Sequence, residues 1–204
     1  MTRSLVLVSA LFFALFLFSS PGIADQKKSA KKKPGQEEAM KRWEEFITPG
    51  EGHRFLEQLV GTWSCEVKMW MQGPQGKPMT SKGSGEYKMA LGGRFLQQEF
   101  TGEMAGQPFH GVGYIGFDNF KKRYVSFWID DMTTAMTTME GSLDSKTMAL
   151  TMHGKVDEPA TGQRNITVKD VLRIVDKDKH VFETYNVTDF GEKKPVMVIT
   201  YTRK

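Results

Sequence analysis

The sequence predicts an all-β domain, an antiparallel up-and-down β-barrel of about ten strands with one or two short N-terminal helices. From residue 62 onward apolar and polar residues alternate with period two, as they do in half-buried strands. About ten such stretches follow at regular spacing, joined by short links without an intervening helical pattern. The first opens with Gly61-Thr62-Trp63, and the last contains the basic residue Arg203. A meander this long usually closes into a barrel, because closure removes its exposed edges.

The first 24 residues are predicted to be a secretory signal peptide. Arg3 supplies a basic start, residues 5–18 are almost wholly apolar, and Gly22-Ile23-Ala24 places small residues at a cleavage site. An apolar run of about 14 residues is short for a membrane span. We therefore expect export to a periplasm or the cell exterior after cleavage, with no stable membrane insertion. An uncleaved anchor is the alternative.

Residues 25–36 are predicted to be a Lys-rich, disordered linker, too polar to join a core. Its lysines are Lys27, Lys28, Lys31, Lys32 and Lys33. They can touch an anionic surface, and a solvated tether is the alternative. From Pro34 onward the chain has 22 basic and 23 acidic residues, a formal net charge of −1. A body this close to neutral argues against nucleic acid as a partner, since nucleic acid requires clustered basic residues.

Residues 37–60 are predicted to form a helical segment before the barrel. Its first apolar residues recur at the spacing of one helix face. They are Met40, Trp43, Phe46 and Ile47. Thr48-Pro49-Gly50 ends this helix, and a second short helix is predicted over residues 53–60.

The barrel domain is predicted to span residues 61–204. In its first strand Trp63, Cys65 and Val67 alternate with polar residues. Further strands are predicted over residues 82–91, 94–102, 109–117, 123–130, 133–141, 147–154, 165–175, 180–187 and 195–203. Links rich in Gly, Asp, Asn and Lys separate them, which favours antiparallel neighbours. The inward face of several strands, 94–102 among them, stays open at this point.

Four stretches resemble a known family of exported bacterial proteins, grouped as domain of unknown function 1579. The stretches are HRFLEQLVGTW at 53–63, SKGSGEYKMALGGRFLQQEF at 81–100, GYIGFDNFKKRYVSFWIDDMTT at 113–134 and VITYTRK at 198–204. The resemblance covers roughly residues 50 to 204. It implies a lipocalin-like barrel and implies little about activity, so no catalytic residue follows from it.

In a lipocalin-like barrel the Trp of the Gly-x-Trp motif closes one end, and a basic residue of the last strand stacks across it. The resemblance therefore implies that Gly61, Trp63 and Arg203 are structural closure residues. Such a cation–π contact stabilises a fold by about 0.5–2 kcal/mol.

The predicted strand 123–130 has a polar and aromatic face that could grip a ligand. One face carries Tyr124, Ser126, Trp128 and Asp130, and the other carries Val125, Phe127 and Ile129. Either face could line the barrel, and Asp130 and Asp131 could instead cap the next turn. From strand parity we expect the ligand to contact Trp128, Asp130, Met136, Met152 and Tyr185.

Methionine is plentiful, with 13 residues in the chain. Several lie in the region of two predicted neighbouring strands: Met132, Met136, Met139, Met148 and Met152. Methionine adapts to irregular apolar surfaces, which suits a pliable cavity for lipid-like molecules. Core filling and Cu(I) binding through thioethers are the alternatives.

The histidines and the cysteine indicate no metal site and no cofactor. The histidines His53, His110, His153 and His180 lack the close spacing typical of metal ligands. Haem would require one histidine aimed into the cavity, and only His110 and His153 have suitable predicted positions. Cys65, the one cysteine, cannot form an internal disulfide and is expected to be buried and inert.

We therefore expect an exported barrel that binds a small, largely apolar molecule without catalysis. One alternative is an isomerase or hydrolase that uses carboxylates in the cavity, with Glu99, Asp130 and Glu183 as candidates. Another is a structural barrel whose interior is filled by side chains.

Overall fold

The computed structural model describes residues 35–204 of the chain. The predicted signal peptide and almost all of the predicted linker lie outside these residues. Residues from Gln36 to Lys204 form one compact unit.

Two helices precede the barrel and a third, short helix interrupts its last connection. They are α1 (Gln36–Ile47), α2 (Glu51–Glu57) and α3 (Val187–Phe190). Helix α2 begins two residues earlier than predicted, because the Gly50 N–H donates to His53 Nδ1 at 2.9 Å and caps the first turn.

Ten strands form the barrel wall. They are β1 (Gly61–Met69), β2 (Met79–Ala90), β3 (Phe95–Met104), β4 (Gln107–Asp118), β5 (Arg123–Asp130), β6 (Thr137–Asp144), β7 (Ala149–Glu158), β8 (Gln163–Asp176), β9 (Lys179–Asn186) and β10 (Met197–Arg203). Each strand is antiparallel to the next, and β1 pairs with β10 to close the barrel. The predicted all-β, up-and-down barrel of about ten strands is confirmed.

Strand β6 starts at Thr137 rather than at residue 133. The carboxylate of Asp130 accepts the N–H groups of Met132 and Thr133, at 3.1 and 2.9 Å. These bonds hold residues after Asp130 in a turn, so the alternating pattern there does not continue as strand.

The antiparallel order gives the barrel two different ends. The link after β2, the link after β4 and helix α2 lie at one end, which we call the helix-capped end. Links 70–78, 105–106, 131–136, 159–162 and 187–196 lie at the other, which we call the loop end.

The helix-capped end is packed tightly. Leu56 on α2 is 0% exposed, and Leu59, just after the helix, is 1% exposed. Leu150 and Leu172 from the wall are as deeply buried. The Tyr124 hydroxyl donates to the Gly52 carbonyl at 3.0 Å and ties α2 to β5. Burial on this scale makes α2 a plug for this end of the barrel.

Trp63 and Arg203 join the first and last strands to that plug. They are direct partners across β1 and β10. The Arg203 guanidinium lies 4.1 Å from the Trp63 ring centre and donates to the carbonyls of Val60 and Gln58. The indole N–H of Trp63 donates to the Leu59 carbonyl at 3.0 Å.

Helix α1 is held by its C-terminal end. The side-chain amide of Asn119 donates to the carbonyls of Glu45, Phe46 and Thr48, which the last turn leaves free. No residue of α1 is buried, and Trp43 is 58% exposed. The predicted apolar face exists, but it does not pack on the barrel.

Candidate ligand-binding site

The register of the sheet decides which face of β5 lines the barrel. Ser126 pairs with Ile115 on β4 and with Met139 on β6, which are 3% and 5% exposed. Directly paired residues share a face of the sheet. The polar and aromatic face with Ser126 and Trp128 therefore faces inward.

The indole of Trp128 lies flat against a wall that has no side chains. Its direct partner on β4 is Gly113, and Gly111 is the next inward residue of that strand. A Cβ atom built at either glycine would collide with the ring. The two glycines make room for the indole inside the barrel, where it is half-buried.

The same inner wall carries a half-buried acid, Asp170. It lies on the inward face of β8 with Ile166, Val168 and Leu172, which are all buried. Its Oδ1 accepts from the Thr184 hydroxyl at 2.8 Å, the one hydrogen bond its carboxyl makes among residues 35–204. Burial raises the pKa of Asp170 to about 7.

Sequence reasoning missed Asp170, although a signal for it exists. In strand 165–175, Asp170 lies on the same face as the apolar residues Val168 and Leu172. An acid on that face must enter the barrel with them, which costs free energy unless the acid is neutralised or hydrogen-bonded. That cost marks such an acid as a candidate functional group.

Met152 connects these features along the wall. It is the direct partner of Asp170 on one side and of Gly141 on the other, and it is 2% exposed. Its position on the inner wall is the one that strand parity predicts.

Two of the expected contact residues do not line the wall. Met136 belongs to the link before β6 and is 61% exposed. Tyr185 neighbours the inward Thr184 and so lies on the outer face of β9, where the Lys169 ammonium sits 4.1 Å from its ring centre. Strand parity predicted an inward Tyr185. The pairing of Thr184 with Asp170 instead turns Thr184 inward and Tyr185 outward.

Asp130 and Asp131 serve the turn at the loop end. Asp130 caps it as described above, and Asp131 Oδ1 accepts from the His110 N–H at 3.0 Å. Asp130 still shares the inward face with Trp128, so it lies at the rim of the barrel. The capping alternative therefore describes the contacts that both carboxylates make.

The other carboxylate candidates are on the outside. Glu99 bonds the ring of His110 at 3.0 Å, and both side chains are more than two-fifths exposed. Glu183 accepts from the Tyr185 hydroxyl at 3.2 Å. Asp170 is thus the one carboxyl group in mid-barrel among the described residues.

The expectation for an inward histidine also needs correction. His110 and His153 are exposed, whereas His180 is 1% exposed. Its ring stacks on Tyr201 at 4.2 Å between centres and meets Trp63 edge-on at 4.3 Å. Both ring nitrogens lack a hydrogen-bond partner. Burial, with the positive charge of Arg203, lowers the pKa of His180 to about 3.

Cys65 is buried at 4% exposure, and burial raises its pKa to about 12. Such a thiol stays protonated and unreactive near neutral pH. Within residues 35–204 no group of three or more His, Cys, Asp or Glu side chains could hold a metal ion.

Part of the inner wall is left half-buried by the side chains around it. The half-buried inward residues lie among buried ones such as Phe100, Ile166 and Val168. The half-buried residues are Gln98, Ser126, Trp128, Asp170, Phe182, Thr184 and Met197. A small molecule bound here would meet an aromatic ring, apolar side chains and the Asp170–Thr184 pair.

A larger cleft of about 920 Å³ lies between α1 and the helix-capped end. Glu44, Glu45 and Lys41 line its outer side, and Phe117 and Tyr124 line its floor. Because α1 buries no residue, this cleft is bounded loosely and open to solvent. Trp128 and Asp170 do not line this cleft, and we do not place the ligand there.

The chain belongs to a family that is described as "Protein of unknown function (DUF1579)". The family model matches residues 48–203, which include α2 and all ten strands. No curated protein matches the chain significantly.

Solved structures share the fold at low sequence identity. The chain is similar to Rv2717c from M. tuberculosis, with a TM-score of 0.56 and 14% identity over 77% of this chain and 99% of that one. It is also similar to the S-type phycobiliprotein lyase CPES from Guillardia theta, with a TM-score of 0.50 and 10% identity over 84% and 98%. Likeness at this level shows a common barrel architecture. No helix among residues 35–204 has the length and apolar character needed to cross a membrane.

Proposed function

We propose that this protein is an exported barrel that binds a small, largely apolar molecule without catalysis. The observation that carries the proposal is a set of inward residues that stay half-buried. Trp128, Asp170 and Thr184 lie on the inner wall and are not fully covered by the side chains around them. Ligand sites commonly pair apolar walls with a few placed polar groups.

Apolar burial would supply most of the affinity, at about 25 cal/mol per Å² removed from water. The indole face of Trp128 is flat, held by the glycine wall and accessible on its inner side. Phe182, which is half-buried, would extend this surface around the wall, because an aromatic ring offers a large apolar area.

Asp170 and Thr184 would orient the ligand. Thr184 occupies one carboxyl oxygen, so the other can accept a hydrogen bond from a ligand hydroxyl, amide or amine. An acid with a pKa of about 7 can also donate when it is protonated. The site therefore suits a molecule with an apolar body and a neutral or cationic head, and it disfavours a carboxylate head.

The enzyme alternative has less support. A paired acid and base needs two titratable groups facing one substrate. Glu99 and Glu183 lie outside the barrel, and Asp130 is engaged by the N–H groups of its turn. Asp170 would have to act alone in the described part of the interior. That arrangement favours binding over a two-carboxylate reaction.

One structural neighbour of this barrel has a stated role. CPES is named as a lyase of phycobiliproteins, so a barrel of this architecture occurs in a protein with that role. The low identity transfers neither that substrate nor that reaction to this chain. The filled-barrel alternative accounts for the buried inward residues and leaves the half-buried Trp128 and Asp170 unexplained.

Native mass spectrometry of the chain, exported by a bacterial host and purified without detergent, is the first test. We expect an N-terminus at Asp25, as the proposed cleavage requires, and an additional mass that is lost on denaturation. If residues 1–24 are still attached to the purified chain, the export proposal is wrong and the ligand-binding proposal is unaffected.

A fluorescent apolar probe, N-phenyl-1-naphthylamine, tests the position of the site. Trp128→Ala should weaken its binding by about tenfold, the value of one aromatic contact. The matched control is Trp43→Ala, which removes an exposed Trp outside the barrel and should leave binding unchanged. Equal effects of the two variants, or no binding of the probe by the wild type, would contradict the proposal.

A further inference from the structure

Methionines form a row across three adjacent strands at the loop end. Met69 on β1 is the direct partner of Met79 on β2 and of Met197 on β10. Direct partners have their Cβ atoms about 4.5–5.5 Å apart on one face. Met69 continues the inward series of Trp63 and Val67, so all three thioethers belong to the inner side of the wall.

A small recess gathers further thioethers at the same place. Met69, Met71, Met79 and Met104 line a volume of about 160 Å³. Met71 is 64% exposed and Met79 is 46% exposed, so the recess opens to solvent. We call these four residues the methionine recess. Its lining also includes Glu103, the one charged residue there.

Core filling accounts for only part of this arrangement, because Met104 packs against the core while Met71 and Met79 are exposed. A methionine that fills a core is buried, as Met139 and Met152 are at 5% and 2% exposure. The recess instead presents flexible thioethers to solvent beside a carboxylate. The methionine set expected from the sequence is not assembled, because Met132 and Met136 are exposed in the link before β6 while Met139 is in the core.

We propose that the methionine recess binds a soft monovalent cation, Cu(I), through three or four thioether sulfurs. Thioethers are neutral, polarizable ligands that select Cu(I) over hard cations. They carry no proton that competes with the metal, in contrast to Cys, His and carboxylates. Glu103 adds a negative charge that favours a cation. This site is independent of the proposed ligand cavity and involves no redox step.

Silver(I), a soft cation that is stable in air, is the probe. The exported chain is titrated with silver nitrate in chloride-free buffer and followed by native mass spectrometry. We expect one ion per folded chain and similar affinity at pH values on both sides of the histidine titration range. No bound silver, or binding that is lost on the acidic side, would overturn the proposal.

Leucine substitutions then locate the site, because Met→Leu keeps the apolar volume. The combined variant Met69→Leu, Met79→Leu and Met104→Leu should weaken silver binding by at least about tenfold. The matched control carries Met40→Leu, Met132→Leu and Met136→Leu, three exposed methionines outside the recess, and should bind as the wild type does. Equal binding by both variants would refute the site.

A milder variant guards against misfolding. Met71→Leu with Met79→Leu changes only exposed side chains and should still weaken binding. If silver binds and the naphthylamine probe does not, the methionine site stands and the proposed ligand cavity is wrong. If the probe binds and silver does not, the methionine site is wrong and the proposed ligand cavity stands.

Discussion

The guanidinium of Arg203 lies 4.1 Å from the ring centre of Trp63, its direct partner across β1 and β10. These two strands meet at the seam that closes the barrel. The same guanidinium donates to carbonyls on both sides of the seam: Gln58 and Val60 after α2, and Lys177 in the link before β9. One side chain thus joins the seam, the helical plug and a neighbouring link. Its loss should affect all three together.

Arg203→Ala should lower the free energy of unfolding by about 2–4 kcal/mol, since it removes a cation–π contact and charged hydrogen bonds. Urea denaturation followed by circular dichroism measures the loss. Arg164→Ala, at an exposed position of β8, is the control and should change stability little. Equal stability of the two variants would mean that the seam does not depend on Arg203.

Gly61→Ala should also destabilise the barrel, by about 1–3 kcal/mol. Gly61 has a φ of +142°, which disfavours any side chain, and a Cβ there would collide with the Arg203 guanidinium. Removing Arg203 should therefore relieve part of the cost, so the double variant should lose less than the sum of the two single losses. Full additivity in urea denaturation would contradict this contact.

Asp170→Asn should change how stability depends on pH. The pKa of Asp170 is about 7 in the barrel, against 3.8 for an aspartate side chain in water. Between these values the unfolded chain loses a proton that the folded chain keeps, so wild-type stability falls as pH rises. The contribution is at most about 1.4 kcal/mol per pH unit.

The asparagine variant lacks this contribution, so its stability relative to the wild type should rise from pH 4 to pH 7. Urea denaturation at several pH values measures the difference. Parallel pH profiles would mean that Asp170 is ionised in the folded barrel, which would weaken its proposed role as a ligand head-group partner.

His180→Phe should protect the barrel against acid. The pKa of His180 falls from 6.5 to about 3 in the fold, so below pH 6.5 the unfolded chain takes up a proton that the folded chain does not. Wild-type stability is therefore lost as pH falls through this window. Phe keeps the aromatic packing on Tyr201 and removes two buried nitrogens that lack partners.

Thermal unfolding at pH 7 and at pH 4.5 gives the comparison. The wild type should lose more stability between these values than the variant does. Part of the acid sensitivity should remain in the variant, because burial also lowers the pKa of His53. An identical loss in both proteins would show that His180 does not limit acid stability.

Sequence periodicity was sufficient for most of the fold. Alternation of apolar and polar residues is a local property of a strand, so it predicts the strands and their antiparallel order. The roles of Gly61, Trp63 and Arg203 in closure came from the family resemblance. The strand boundaries differ from the prediction where a side chain competes with the sheet for backbone N–H groups, as Asp130 does in the turn before β6.

The sequence by itself determined that the chain forms a meander of strands long enough to close, and the family resemblance added the residues at the seam. Only the tertiary structure decided what the interior contains, because register relates strands that are far apart in sequence. Pairing across neighbours turned Trp128 and Asp170 inward and Tyr185 outward, buried His180 rather than His110, and aligned Met69 with Met79 and Met197. A local pattern defines two faces of a strand, and closure of the whole sheet selects the one that lines the barrel.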